Sequence, residues 1–214
     1  MYFHGHPSSR IEAAPADDVA RKHNIRLIAL DRPGFGLSTP SHGAQLLDWP
    51  NDVHHFAGGV GMDRFAVFGL SGGGPFALAW AYALPREMLT GVGLFASGPP
   101  WKAGRHHMTL TRRTTSWMTV HWPSGLRAIL NGSVAALTSM ANSKAVIKRL
   151  DAFLEKDRGK LENRSGTEEA ERIRQTKAER RETLLSVLVD EPFRQGSDAA
   201  VLEAELLSAN GWGF

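Results

Sequence analysis

The residues with the clearest chemical potential are Gly69-Leu70-Ser71-Gly72-Gly73, a G-x-S-x-G run with a hydroxyl between two glycines. A serine oxygen can attack a carbonyl carbon. The glycines matter because a chain that doubles back sharply at the serine leaves no room for side chains at Gly69 and Gly73. Where such a run joins a strand to a helix, the hydroxyl is lifted above the sheet edge. The N–H of Gly72 then points outward unpaired over the positive end of the helix macrodipole, which favours an oxyanion. Gly74-Pro75 suits the first turn of that helix, since proline there forfeits only a hydrogen bond that would not form anyway.

Other chemistries fit these residues less well. The run Gly72-Gly73-Gly74-Pro75-Phe76-Ala77 loosely matches the G-x-G-x-x-A dinucleotide fingerprint. That fingerprint requires an acid near the end of the next strand, where this chain has Phe95-Ala96-Ser97, so it is set aside. His4-x-His6 could place two metal ligands on one strand face, but no downstream His/Asp cluster completes a site, and Gly5 and Pro7 suit an oxyanion loop better. With no cysteine, thiolate metal sites, disulfides and a cysteine nucleophile are excluded. Neither a metal nor a cofactor is expected.

The elements that must hold Ser71 can be read from the periodicity around it. Residues 9–24 have apolar positions at helical spacing behind Ser8-Ser9, and 25–30 read as a buried strand stopped by Asp31-Arg32-Pro33-Gly34. A helix over 52–60 precedes a core strand at 65–68, the glycine cluster, a buried helix over 75–84 and a strand over 89–96. Strand and helix alternate up to residue 98, which predicts an α/β fold with a parallel sheet covered by helices on both faces. From 101 to 208 the spacing predicts helices, among them 124–131, 143–154 and 178–189, with no convincing strand. The charged stretch 155–182 reads as a solvated helix face.

Three segments carry a family resemblance: Phe3-His4-Gly5-His6-Pro7, then Asp31-Arg32-Pro33-Gly34-Phe35-Gly36-Leu37-Ser38, then Gly69-Leu70-Ser71-Gly72-Gly73-Gly74-Pro75. In order and spacing they resemble successive motifs of the α/β-hydrolase superfamily, most clearly over residues 2–99. Residues 191–196 and 211–214 resemble the close of the helical lid in some members. The resemblance implies Ser71 as nucleophile, and Gly72 and His6 as backbone N–H donors to the oxyanion. It implies a structural role for Gly69 and Gly73, and a loop-shaping role, not that of triad acid, for Asp31. It divides the chain into a partial hydrolase core (1–99), a helical lid (100–208) and a truncated return to the core (209–214).

In that family the triad acid and histidine follow the serine in that order. Here no histidine lies beyond His121 and no aspartate between Ser71 and His121, so both partners are expected to be absent and the chain truncated at both ends. His106, His107 and His121 in the lid, and His54-His55 before the nucleophile strand, read as surface groups. The expected activity is hydrolysis of ester, amide or peptide N-terminal bonds, with little turnover by this chain alone. A serine at this position argues against the relatives that use an aspartate nucleophile. The alternative is a remnant that binds a partner through residues 101–208 without catalysis. An unpaired strand on either side of a four-stranded sheet predicts poor solubility.

A formal charge of +3 over 214 residues, without a basic block, argues against nucleic acid as a partner. No apolar run is long enough to span a bilayer. The expected partner is a small-molecule or peptide substrate, with oligomeric state open. Without a secretory signal at the N-terminus, a cytoplasmic location is the default expectation. The sequons at Asn131 and Asn163 read as chance matches.

Overall fold

The computed structural model describes residues 1–83, 86–98, 100, 108–141, 143, 146–153, 177–208 and 212–214. His106, His107, Asn163, most of the charged stretch 155–182 and the 209–211 boundary lie outside the described residues.

The chain forms a partial α/β fold around one four-stranded parallel sheet. Its strands are β1 (Tyr2–Phe3), β2 (Ala29–Leu30), β3 (Phe65–Leu70) and β4 (Leu89–Phe95), in the order β2-β1-β3-β4. Phe3 sits between Leu30 of β2 and Gly69 of β3, and Leu70 pairs with Phe95. From β1 the chain steps outward to β2 on one side, then returns to add β3 on the other. The strand order therefore reverses between β1 and β3, and open α/β sheets leave a crevice beyond the carboxyl ends of two such strands. The loop His4-Gly5-His6 follows β1 and Ser71 follows β3, so both open into that crevice.

Helices α1 (Asp17–Lys22), α2 (Trp49–Gly59) and α3 (Gly74–Ala83) flank the sheet. The core lies on one face, where Phe3, Phe65 and Val67 meet Trp49 and Val53 of α2 and Phe76 and Trp80 of α3. Phe3 meets Trp49 edge-on at 5.4 Å between ring centroids, and Phe65 packs on Trp80 at 4.7 Å, both within the range of favourable aromatic pairs. Alanines at 77 and 79 let α3 lie close to the strands that it covers. The opposite face is less covered than a doubly wound sheet predicts: Phe68 and Phe95 remain 39% and 63% exposed there, and on edge strand β4 Val92 and Leu94, which share the core face with their partners Val67 and Gly69, remain 40% and 46% exposed.

Several boundaries depart from the periodicity. The helix expected over 9–24 is a 3-10 segment, Arg10–Ala16, followed by α1; Pro15 lacks an N–H and its ring obstructs an α turn. Of the strand expected over 25–30, only Ala29 and Leu30 pair, because β1 offers them just two residues. Strand β3 runs on to Leu70, and α2 begins at Trp49 with Pro50 in its first turn.

Beyond residue 108 the regular elements among the described residues are helices. They include α4 (Leu110–His121), α5 (Pro123–Ala141), α6 (Lys177–Leu185), which continues as a π turn over Ser186–Asp190, and α7 (Asp198–Ser208). Helix α5 runs well past the 124–131 segment that the periodicity marks. No described helix is long and apolar enough to cross a membrane.

Candidate active site

Ser71 stands where β3 turns into α3. Leu70 still has extended backbone, at φ −93° and ψ 130°, whereas Ser71 has φ +48°, a left-handed conformation that L-residues adopt at a cost of about 1–2 kcal/mol. The bend is tight enough that a Cβ at Gly69 would lie 2.6 Å from the Gly73 carbonyl oxygen, and one at Gly73 would collide with the carbonyl oxygen of Phe3. These contacts account physically for the glycine on each side of the serine. The Ser71 side chain is half-buried, and its hydroxyl has no hydrogen-bond partner among the described residues. It borders a cavity of about 830 Å³ whose wall includes His6, Gly72, Ala96, Met118 and Leu126.

Gly72 brings the two expected oxyanion donors side by side. A Cβ on it would lie 2.5 Å from the His6 Cβ and 3.1 Å from the His6 backbone nitrogen, so only glycine admits this approach. The Gly72 N–H belongs to the first turn after the bend, where helices leave their donors unpaired. No partner for the His6 N–H is present among the described residues.

Nearly every other polar group of the His4-Gly5-His6 segment is held. The Gly5 N–H donates to Glu12 Oε2 at 2.6 Å, and the same oxygen accepts from the Tyr2 hydroxyl at 3.0 Å. Arg32 donates from Nη1 to the His4 carbonyl at 2.5 Å and from Nη2 to the Gly5 carbonyl at 2.9 Å. His4 Nε2 accepts the Arg32 backbone N–H at 3.2 Å, which leaves His4 Nδ1 protonated and donating to the Gly5 carbonyl at 2.8 Å. Burial, reinforced by the Arg32 charge, pushes His4 down to about 3, so its ring is neutral at ordinary pH.

The group that sequence reasoning missed is Glu203, on α7. Its buried carboxylate accepts from Arg32 Nε at 2.6 Å on Oε2, and from Arg32 Nη2 at 2.6 Å and His6 Nδ1 at 3.0 Å on Oε1. Burial alone would raise its pKa. The Arg32 charge and the bonds from His6 and Arg32 more than offset this and hold it below the usual carboxylate range. A signal was present in the sequence: Ala200, Ala204 and Leu207 form a buried stripe at helical spacing, and Glu203 falls within it. A carboxylate on an apolar stripe implies a buried cationic partner.

Other candidates do not converge on Ser71. His54 and His55 are exposed on α2. His121 is exposed at the end of α4, where Nδ1 donates to the Trp117 carbonyl at 3.0 Å. The His4 and His6 rings engage different partners, and no cluster of three or more metal-ligating side chains occurs among the described residues. The Asp31 carboxylate accepts from the backbone N–H and guanidinium of Arg10 at 2.6 and 2.5 Å and from the Leu37 N–H at 3.0 Å, which braces the turn after β2.

No protein-family model matches the chain, and no curated protein does. Among solved structures it is similar to an alpha/beta hydrolase fold protein from Nakamurella multipartita, with a TM-score of 0.42 and 20% identity over 63% of this chain and 49% of that one. The chain thus spans about half the length of that protein.

Proposed function

We propose that the chain carries the nucleophile of an α/β-hydrolase-type serine hydrolase acting on ester, amide or peptide N-terminal bonds. The observation that carries this reading is the left-handed Ser71 on a strand-to-helix bend, its hydroxyl unpaired beside a cavity and its neighbour Gly72 packed against His6. In the proposed reaction Ser71 Oγ bonds to the substrate carbonyl carbon as its proton passes to solvent water. The carbonyl oxygen becomes an oxyanion held by the Gly72 and His6 N–H groups, and its collapse expels the leaving group as an acyl-serine forms. The helical region from 108 onward would act as a lid over the cavity, with α4 and α7 lining it.

Turnover is expected to be slow. Among the described histidines only His6 borders the cavity, and its Nδ1 is engaged by Glu203. A serine site without its base keeps about 10³–10⁴-fold over water from the oxyanion hole and binding alone. The test is exposure to p-nitrophenyl acetate followed by peptide mass mapping. Acetyl groups are expected on Ser71 ahead of any lysine, and at no corresponding position in Ser71→Ala. Acetylation spread over lysines with none on Ser71 would overturn the proposal.

A partner-binding role without catalysis is the second reading. It is favoured by the exposed Trp117, Val120 and Trp122 along α4 and its end, and by Ile129 and Leu137 on α5. An unlabelled Ser71 would favour it.

A further inference from the structure

We infer that Glu203 is a positioning residue that couples the seating of α7 to the oxyanion loop. This inference rests on the reading of Ser71 and its two N–H donors given above. One carboxylate, 171 positions from Arg32 and 197 from His6 in sequence, bonds to both, and Arg32 in turn holds the carbonyls of His4 and Gly5. The Arg32 guanidinium is itself fixed, 1% exposed and stacked 4.6 Å over the Phe76 ring. The segment that presents the His6 N–H is therefore clamped from two sides. Arg32 grips the carbonyls on its near side, and Glu203 grips the His6 ring on the far side.

Because an ionised carboxylate only accepts, the His6 ring must donate from Nδ1 when neutral, which fixes its tautomer and its rotamer. The His6 Cβ is the atom that touches Gly72, so fixing the ring also fixes the spacing between the two donors. Glu203 touches no reacting atom in this arrangement. It acts through His6, and only when α7 is docked. An oxyanion donor displaced by about 1 Å can cost a hundredfold in stabilisation, so a helix that supplies this tether controls whether the hole is assembled.

Phenylboronic acid is the probe. Ser71 Oγ bonds to boron as its proton passes to buffer, and the tetrahedral boronate anion places an oxygen where the oxyanion would sit. His6→Leu removes the tether but keeps the backbone N–H and the Arg32–Glu203 pair, and Glu203→Gln weakens both grips. Each is expected to bind the boronate about tenfold to a hundredfold more weakly than the unmodified chain. Arg127→Met breaks a surface ion pair between α5 and Asp198 of α7, 2.5 Å long, and is expected to leave affinity unchanged.

Nitrogen-15 spectra of the histidine rings supply the second readout. The His6 Nδ1–H tautomer should dominate in the unmodified chain and in Arg127→Met, and should give way in Glu203→Gln. Unmodified affinity in His6→Leu, an equal loss in Arg127→Met, or an Nε2–H tautomer in the starting protein would each overturn the inference. If Glu203→Gln does not fold, His6→Leu decides. No adduct in the starting protein would sink the Ser71 reading and this inference with it; an adduct that the variants leave unchanged would sink this inference alone.

Discussion

Ser71 and His4 illustrate two ways in which a single residue departs from its relaxed state. At Ser71 the cost is in the backbone, and it yields a hydroxyl that the strand and helix on either side cannot engage. Glycine at 71 would relieve about 1–2 kcal/mol of left-handed strain while adding about 0.5–1 kcal/mol of unfolded-state freedom. Ser71→Gly is therefore expected to gain up to about 1 kcal/mol in urea unfolding, and a loss of stability would contradict the strain at this bend. At His4 the departure is electrostatic. Its folded pKa of about 3 lies below the unfolded value of 6.5, so its contribution is complete above pH 6.5 and is lost as pH falls, because only the unfolded chain takes up the proton. Glu203, also lowered, adds a loss in the same direction only below its unfolded value of 4.5. Between about pH 6 and 4.5 the stability should drop with a slope approaching about 1.4 kcal/mol per unit, and His4→Gln should flatten that slope. Urea midpoints across the window would check it.

Among the elements, α7 carries the greatest consequence for the site. Its apolar stripe seats it against the wall of the Ser71 cavity, and Glu203 in that stripe reaches the loop after β1. Removing one member of this buried pair strands the other. Arg32→Met is expected to cost about 3–5 kcal/mol, whereas Arg32→Met with Glu203→Met should cost far less than the sum of the single changes. A urea-unfolding cycle in which the two effects simply add would show that the pair is not coupled. The strand-bend-helix at 65–83 was legible in the sequence because strand length, glycine placement and Gly74-Pro75 all describe one local geometry. Helix α7 was less so. The apolar stripe around Glu203 marks the carboxylate as one that needs a buried cation, but nothing near it in the chain identifies Arg32, 171 positions away, as that partner.

For the molecule as a whole, the sheet has one well-packed face and one that keeps apolar side chains in contact with solvent. Phe68 and Phe95 point to the exposed side, and Val92 and Leu94 stand exposed on β4, an edge strand. An edge of this kind, beside an apolar face, is a template for self-association. Val92→Lys is expected to change unfolding free energy by no more than about 0.5 kcal/mol, since the site is already solvated, while reducing light scattering at high concentration. Unchanged scattering would place the source of association elsewhere, with the exposed aromatics of α4 as the next surface to alter.

Sequence alone determined what depends on neighbours along the chain: an alternating α/β pattern, a bend at Ser71 forced by Gly69 and Gly73, and a proline-started helix behind it. These are local steric and hydrogen-bonding requirements, and a few consecutive residues are enough to state them. Only the tertiary structure decided which side chains meet at that bend. The contact of Gly72 with His6, the grip of Arg32 on two carbonyls and the arrival of Glu203 from α7 join residues up to 197 positions apart. Pairings at that separation are selected by the packing of the whole sheet and its helices, so no stretch of neighbouring residues encodes them.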